Sequence, residues 1–181
     1  MASIPSLRDL LIAEIKDLYF AENLLIKALP KMAKAATNPD LKAGFTAHLA
    51  ETRKHVERLA QAMKLLDVPV EGKTCHAMVG LLEEGAEAIE MKGPDAVRDA
   101  ELIGAAQRVE HYEMAGYGTA RAFAVKLGEA KVATLLQTTL QEEGETNKKL
   151  TEISETVNTD ALAAGKVTPV APKSKKQAAA A

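Results

Sequence analysis

Apolar residues recur every three or four positions through most of the chain, which is the spacing of one face of a helix. Capping residues and helix breakers divide this pattern into four long helices and one shorter helix. The predicted helices cover approximately residues 6–36, 38–67, 75–91, 94–128 and 129–158. Asn38 followed by Pro39 suits a helix start, and Gly93-Pro94 separates the third helix from the fourth. The pattern predicts an all-α protein built on a bundle of the four long helices.

Acidic residues interrupt three of the long apolar faces near their middles. Glu22 lies in the apolar line of the first helix, and Glu143 lies in that of the last. The fourth helix contains the stretch EHYEMAGY, in which Glu110 and Glu113 occupy the positions of its apolar line. The middles of neighbouring helices lie at similar heights in an antiparallel bundle, so these carboxylates are expected to converge.

The second helix carries its polar residues beside the apolar line. We predict that this line consists of Phe45, Leu49, Thr52, Val56, Leu59 and Met63. His48, Glu51 and His55 flank it by one position and share one edge of the helix, because they are three and four residues apart. Every long helix therefore has at least one acid on or beside its core face.

Carboxylates that meet in an apolar interior each cost several kcal/mol unless another charge compensates them. The middles of the helices offer no lysine or arginine on the same faces, so two divalent cations are the favoured compensation. Each acid alone also fits a solvated helix edge, and each histidine alone fits a hydrogen-bonded position at the edge of the core. The occurrence of such acids and histidines at the middles of all four long helices favours metal ligation.

Composition and charge exclude several classes of protein. The chain has 181 residues and a formal net charge of −2, which argues against a nucleic-acid partner. The single cysteine, Cys75, has no intramolecular partner for a disulfide, and no segment has the pattern of a signal peptide or of a transmembrane helix. These features predict a cytoplasmic protein that neither binds nor crosses a membrane.

The composition changes towards the end of the chain. Residues 165–181 contain four lysines, no acid and a terminal alanine run. This composition predicts a helical domain over 1–160 followed by a flexible basic tail over 161–181.

Six short runs resemble the YciE/YciF family of bacterial stress-associated ferritin-like proteins, in order and with matching spacing up to about residue 160. The runs are YFAE at 19–22, ATNPDL at 36–41, HLAET at 48–52, CHAMVGLLEE at 75–84, VEHYE at 109–113 and LQEE at 140–143. The resemblance implies a ferritin-like four-helix bundle with an additional short crossover helix. It also implies a cytoplasmic homodimer and a di-metal carboxylate centre that contains iron.

The chain departs from the wider ferritin-like pattern, in which two helices each supply a Glu-x-x-His pair. Lys54 stands three residues after Glu51, and Thr146 stands three residues after Glu143. Either the site is richer in carboxylates or a histidine reaches it from another position, and the choice between His48 and His55 stays open. The predicted metal ligands are Glu22, Glu51, Glu110 and Glu143, then Glu113, with His48 as a ligand or as support for one.

Such a centre suits two Fe ions, with Mn as the alternative, because both accept oxygen ligands and change oxidation state. The leading hypothesis is a protein of the stress response that oxidises Fe(II) or consumes O2 or peroxide, with Tyr117 as hydrogen-bond donor or electron relay. A competing hypothesis is a structural or interaction dimer without redox activity. A third hypothesis, oxidation of an organic substrate, requires an apolar pocket beside the metals.

Overall fold

A computed structural model describes residues 5–165, and every regular element in this range is a helix. The five helices are α1 (Leu7–Ala35), α2 (Pro39–Leu65), α3 (His76–Glu90), α4 (Asp95–Lys126) and α5 (Ala130–Ala164). The predicted all-α class and the order of four long helices and one short helix are confirmed.

Two predicted helix starts have the expected side-chain caps. The Ser6 hydroxyl accepts a hydrogen bond from the Asp9 backbone N–H at 3.2 Å. The side-chain oxygen of Asn38 accepts from the backbone N–H groups of Asp40 and Leu41, both at 3.0 Å. These contacts satisfy backbone donors that have no partner within the first turn of a helix.

The last helix is longer than predicted. It continues to Ala164 instead of ending near residue 158, because no glycine or proline interrupts 159–164. Residues 161–164 of the predicted tail are therefore helical, and the division into a domain and a tail at 160 stays a prediction. The remainder of that tail, from 166, lies outside the residues that the structure describes.

Helix pairs set the architecture. α1 packs on α2 and α4 packs on α5, while contacts between α2 and α5 and between α1 and α4 complete the bundle. The connection from α2 to α4 contains α3, which packs against α4 and α1. Short links between α1 and α2 and between α4 and α5 make each of these pairs antiparallel.

A layer of buried polar side chains divides the apolar core into two halves. On α1, one half contains Leu11, Ile15 and Leu18, and the other contains Ala21, Leu25 and Leu29, with Glu22 at the level where the two halves meet. The other three long helices repeat this order. The bundle thus places polar groups from four helices at one height.

Asp99 ties the start of α4 to the link between α1 and α2. Its carboxylate is 2% exposed and accepts hydrogen bonds from the Thr37 hydroxyl at 2.6 Å and from the Thr37 backbone N–H at 3.0 Å. The Asn38 backbone N–H donates to the same carboxylate at 2.7 Å. This contact fixes the height of α4 relative to α1 and α2, and with it the height of the acids on α4.

None of the helices between residues 5 and 165 combines the length and the hydrophobicity required to span a bilayer.

Candidate metal centre

The buried polar layer brings six possible metal-binding side chains together. α1 supplies Glu22, α2 supplies His48 and His55, α4 supplies Glu110 and Glu113, and α5 supplies Glu143. Each of the six is at most 4% exposed. Spacings of seven residues on α2 and three on α4 keep each pair on one face of its helix. The layer is therefore a direct result of helical periodicity.

The six side chains form two groups that share one residue. His48, Glu110, Glu113 and Glu143 make the first group, and Glu22, His55 and Glu143 make the second. Within each group, one ligand atom from every residue lies within 4.8 Å of the others. Each group could hold one metal ion, and Glu143 belongs to both.

The two carboxylate oxygens of Glu143 face different histidines. Its Oε1 lies 3.0 Å from Nδ1 of His55, and its Oε2 lies 3.9 Å from Nε2 of His48. Nδ1 of His55 is also 3.3 Å from Glu22, and Nε2 of His48 is 3.3 Å from Glu110. Glu143 is thus the residue that could help to hold an ion in either group.

The outer ring nitrogen of each histidine has a partner outside the two groups. Nε2 of His55 lies 2.9 Å from Glu142, whose carboxylate accepts two hydrogen bonds from Arg58 at 2.5 and 2.9 Å. Nδ1 of His48 lies 3.4 Å from the Thr146 hydroxyl. Metal-binding histidines characteristically use their second nitrogen in this way, which fixes the orientation of the ring.

Buried polar atoms without partners are concentrated at this site. Among residues 5–165, nine buried side-chain nitrogen or oxygen atoms lack a hydrogen-bond partner, and eight of them belong to the six residues of the two groups. Both oxygens of Glu113 and both of Glu143 are in this set. Buried polar groups are normally hydrogen-bonded, so this concentration of exceptions requires an explanation. Metal ions that accept electron pairs from these atoms provide one, and the donor set fits them.

Protonation of the metal-free site follows from its burial and its charges. Burial raises the pKa of Glu22, and it raises the pKa of Glu110 and of Glu113 well above the usual value of a carboxyl group. Burial alone would lower the pKa of His48, but Glu110 and other carboxylates raise it to about 9. Burial acts in the same direction on His55, and Glu143 and Glu22 raise its pKa to about 11. The folded, metal-free site consequently retains protons that the unfolded chain releases.

The stability of the metal-free protein should fall as the pH rises from 6 to 9. A group with a raised pKa in the folded state contributes stability below its unfolded pKa and loses that contribution as the pH rises through the folded value. For His48, with unfolded and folded pKa values of 6.5 and about 9, the loss falls between these pH values. His48 alone should lower the unfolding free energy by on the order of 3 kcal/mol over this range.

Urea unfolding of the metal-free protein at a series of pH values measures this decrease. A matched series with saturating Mn(II) is the control and should lose less stability, because bound metal replaces the protons. Unfolding free energies that stay constant from pH 6 to 9 without metal would contradict the prediction.

Five of the six predicted ligands lie within the two groups, namely Glu22, Glu110, Glu113, Glu143 and His48. The sixth, Glu51, lies outside both groups, and its side chain is 31% exposed. Its Oε2 is 3.7 Å from the outer nitrogen of His48, on the side away from the shared Glu143. His55, the alternative imidazole, belongs to the second group. Metal binding by any of these residues stays a prediction.

The predicted apolar line of α2 is wrong at two positions. Leu49 and Val56 are only half-buried, whereas His48 and His55 occupy the buried stripe. The buried stripe lies one position away from the line that hydrophobicity predicts, because two of its central positions are histidines. On α4, His111 is exposed and its Nδ1 lies 2.7 Å from the Gln107 carbonyl oxygen, outside both groups.

A family model described as a domain of unknown function, DUF892, matches residues 6–163. The chain belongs to the DUF892 family. Protein YciF of Escherichia coli strain K12 is 43% identical to this chain over 153 residues. That match covers 84% of this chain and 92% of YciF. The predicted relationship to YciF is confirmed.

Solved structures agree with this relationship. The crystal structure of the E. coli stress protein YciF has a TM-score of 0.83 and 42% identity, covering 86% of this chain and 98% of that one. YcfI of Rhodopseudomonas palustris, described provisionally as a structural protein, has a TM-score of 0.79 and 45% identity, covering 82% and 95%. A Xanthomonas campestris protein with a TM-score of 0.69 and 23% identity covers 87% and 97%, and it supports the fold alone.

Proposed function

We propose that this DUF892 protein is a cytoplasmic, ferritin-like di-metal protein that binds two Fe ions, with Mn as the alternative. The observation that carries the proposal is the set of eight unpartnered buried polar atoms in two groups that share Glu143. Four carboxylates there would carry four negative charges when ionised, which two divalent cations neutralise. A di-metal site built from four helices of a bundle is a known arrangement.

The residues have separate roles in the proposed centre. Glu143 would bridge the ions, His48 with Glu110 and Glu113 would hold one, and Glu22 with His55 would hold the other. Glu51 and Thr146 would orient His48 from outside, while Glu142 and Arg58 would orient His55. When bound, such ions supply one-electron oxidation and reduction at a site enclosed by protein.

Tyr117 would orient one carboxylate of the proposed centre. Its hydroxyl donates a hydrogen bond to Oε1 of Glu22 at 2.5 Å, and its side chain is completely buried. Burial and the neighbouring carboxylates, Glu22 first among them, raise its pKa well above the usual value. The hydroxyl therefore stays protonated at neutral pH and holds Glu22 in one orientation through this hydrogen bond.

The proposed reaction is the oxidation of Fe(II) by peroxide or O2 during stress. With peroxide, one H2O2 accepts two electrons, one from each Fe(II), and two protons, and gives two water molecules. The description of YciF as a stress protein supports this context. A structural or interaction dimer without redox activity is the second candidate, and the provisional description of YcfI favours it.

Peroxide consumption by Fe(II)-loaded protein tests the proposal. The parent, loaded without oxygen, should consume about one H2O2 for every two Fe(II) bound. Glu110→Ala should reduce this consumption at least tenfold. Glu101→Ala, on the same helix but outside both groups and with a side chain that is 42% exposed, should not change it. A parent that binds iron but leaves peroxide unchanged, with O2 also unconsumed, would support the structural candidate instead.

A further inference from the structure

A cavity of about 340 Å³ adjoins the candidate metal centre. It lies in the half of the core that contains Leu25 and Leu29, and all five helices contribute to its walls. Most of its lining is aliphatic. Its inner end reaches His48 and Glu110, two residues of the first metal-binding group. An apolar space therefore opens directly onto the proposed centre, as the third hypothesis from the sequence requires.

Small residues on two helices leave this space open. Ala105 and Ala106 line it from α4, and Gly85 lines it from α3. Gly85 is buried, yet a Cβ atom added to it would have no atom within 4 Å. A buried glycine normally faces close-packed atoms. Gly85 faces the cavity instead, and a larger side chain at this position would project into it.

The cavity has the dimensions of an alkyl chain. An apolar cavity of about 150 Å³ is sufficient to bind benzene, so 340 Å³ accommodates a molecule about twice as large. Along α1 its lining extends from Leu24 to Met32, and a rise of eight residues along a helix covers about 12 Å. The space is thus long enough for an extended medium-length chain.

Charges at the outer edge favour an anionic end group. Lys27 and Lys31 are exposed, line the cavity and lie one turn apart on α1. Within residues 5–165, neither lysine has a carboxylate within 4.0 Å. The aliphatic walls between these lysines and His48 offer few partners to a sugar or a nucleotide, whose many polar groups would be left unpaired.

We propose that the cavity binds a medium-chain alkyl carboxylate, with its carboxylate at Lys27 and Lys31 and its chain directed towards His48 and Glu110. The inference deepens the proposed function by naming the class of organic molecule held beside the metals. Any reaction of the bound alkyl chain rests on the proposed function, whereas binding of the alkyl carboxylate needs no metal. The two ideas can therefore fail separately.

Calorimetric titration of the metal-free full-length protein with decanoate tests the cavity. We expect saturable binding of one decanoate per chain. Gly85→Leu should weaken it at least tenfold, because leucine fills the space. Gly80→Leu is the matched control and should retain binding, since Gly80 lies on the same helix, also has open space at its Cβ position and does not line the cavity. Both changes replace glycine in a helix with a better helix former, and thermal melting should show both variants folded.

The end group is tested with decan-1-ol and with the double variant Lys27→Gln/Lys31→Gln. Decanoate should bind the parent more tightly than decan-1-ol, and the double variant should lose that preference. Absence of saturable binding, or equal binding by Gly85→Leu and Gly80→Leu, would overturn the proposal. An unchanged preference for decanoate in the double variant would also overturn it. So would light scattering that shows a dimer in the parent and a monomer in Gly85→Leu, because the cavity would then belong to an interface between copies of this chain.

Discussion

Glu143→Gln is expected to remove both metal ions from each chain. The side chain belongs to both groups of potential ligands, and its two oxygens face His55 and His48 separately. Glutamine keeps the size of the side chain but removes its negative charge and replaces one oxygen with an NH2 group. Even changes outside the set of ligands reduce metal affinity by about 10- to 100-fold, so the loss of a shared ligand should exceed 100-fold.

Elemental analysis after loading with Fe(II) or Mn(II) and removal of free metal gives the result directly. The parent should retain about two ions per chain and Glu143→Gln almost none. Glu22→Gln, which affects only the second group, should leave about one. Glu145→Gln is the control, because Glu145 is exposed on the same helix.

Unfolding of the metal-free variant separates a lost ligand from a lost fold. The amide removes one buried partner of His55, so metal-free Glu143→Gln should be less stable than the metal-free parent but should still unfold cooperatively from a folded state. Retention of two ions by Glu143→Gln would refute the bridging role. Equal losses in Glu22→Gln and Glu143→Gln would refute the division into two groups.

Asp99→Ala is expected to reduce the unfolding free energy by about 3–5 kcal/mol, a large part of the stability of a single domain. The aspartate is buried and accepts hydrogen bonds from the Thr37 and Asn38 backbone and from the Thr37 hydroxyl. Alanine leaves these donors without their partner and opens a space at the junction of three helices.

Urea unfolding at one pH, without metal, measures the effect. Asp95→Ala is a suitable control, because Asp95 lies one turn earlier on α4 and its carboxylate pairs with Arg98 at the surface, at 2.7 Å. Its loss should cost about 1 kcal/mol or less. Similar losses of unfolding free energy in Asp99→Ala and Asp95→Ala would contradict the prediction. The buried hydrogen bonds of Asp99 would then contribute no more than a surface charge in the first turn of a helix.

Helix number and order were predictable because the sequence marks most helix boundaries strongly. Ser6, Asn38-Pro39 and Gly93-Pro94 each combine a cap or a breaker with a change in periodicity. The end of α5 was not predictable in the same way, because 159–164 has neither a breaker nor a clear apolar face.

Acids were predictable as site residues where they interrupted an otherwise apolar line, as Glu22, Glu110 and Glu143 do. The roles of His55 and Glu51 were harder to predict. An error of one position in the buried stripe rotates the helix by about 100°, which changes which of its polar residues face the site. Asp99 gave no signal, since its partners lie about 60 residues away in sequence, at Thr37 and Asn38. Contacts over such distances depend on packing, which periodicity along one helix does not describe.

The polar layer between the two halves of the apolar core also bears on cooperativity. Each half has its own set of buried apolar side chains, and the layer between them contains groups that repel one another or compete for protons when metal is absent. Regions joined by few favourable contacts tend to open as separate units. In a metal-bound state, the same layer would become the strongest link between the halves, joining four helices through shared bonds. Metal availability would then determine whether this chain behaves as one folding unit or as two.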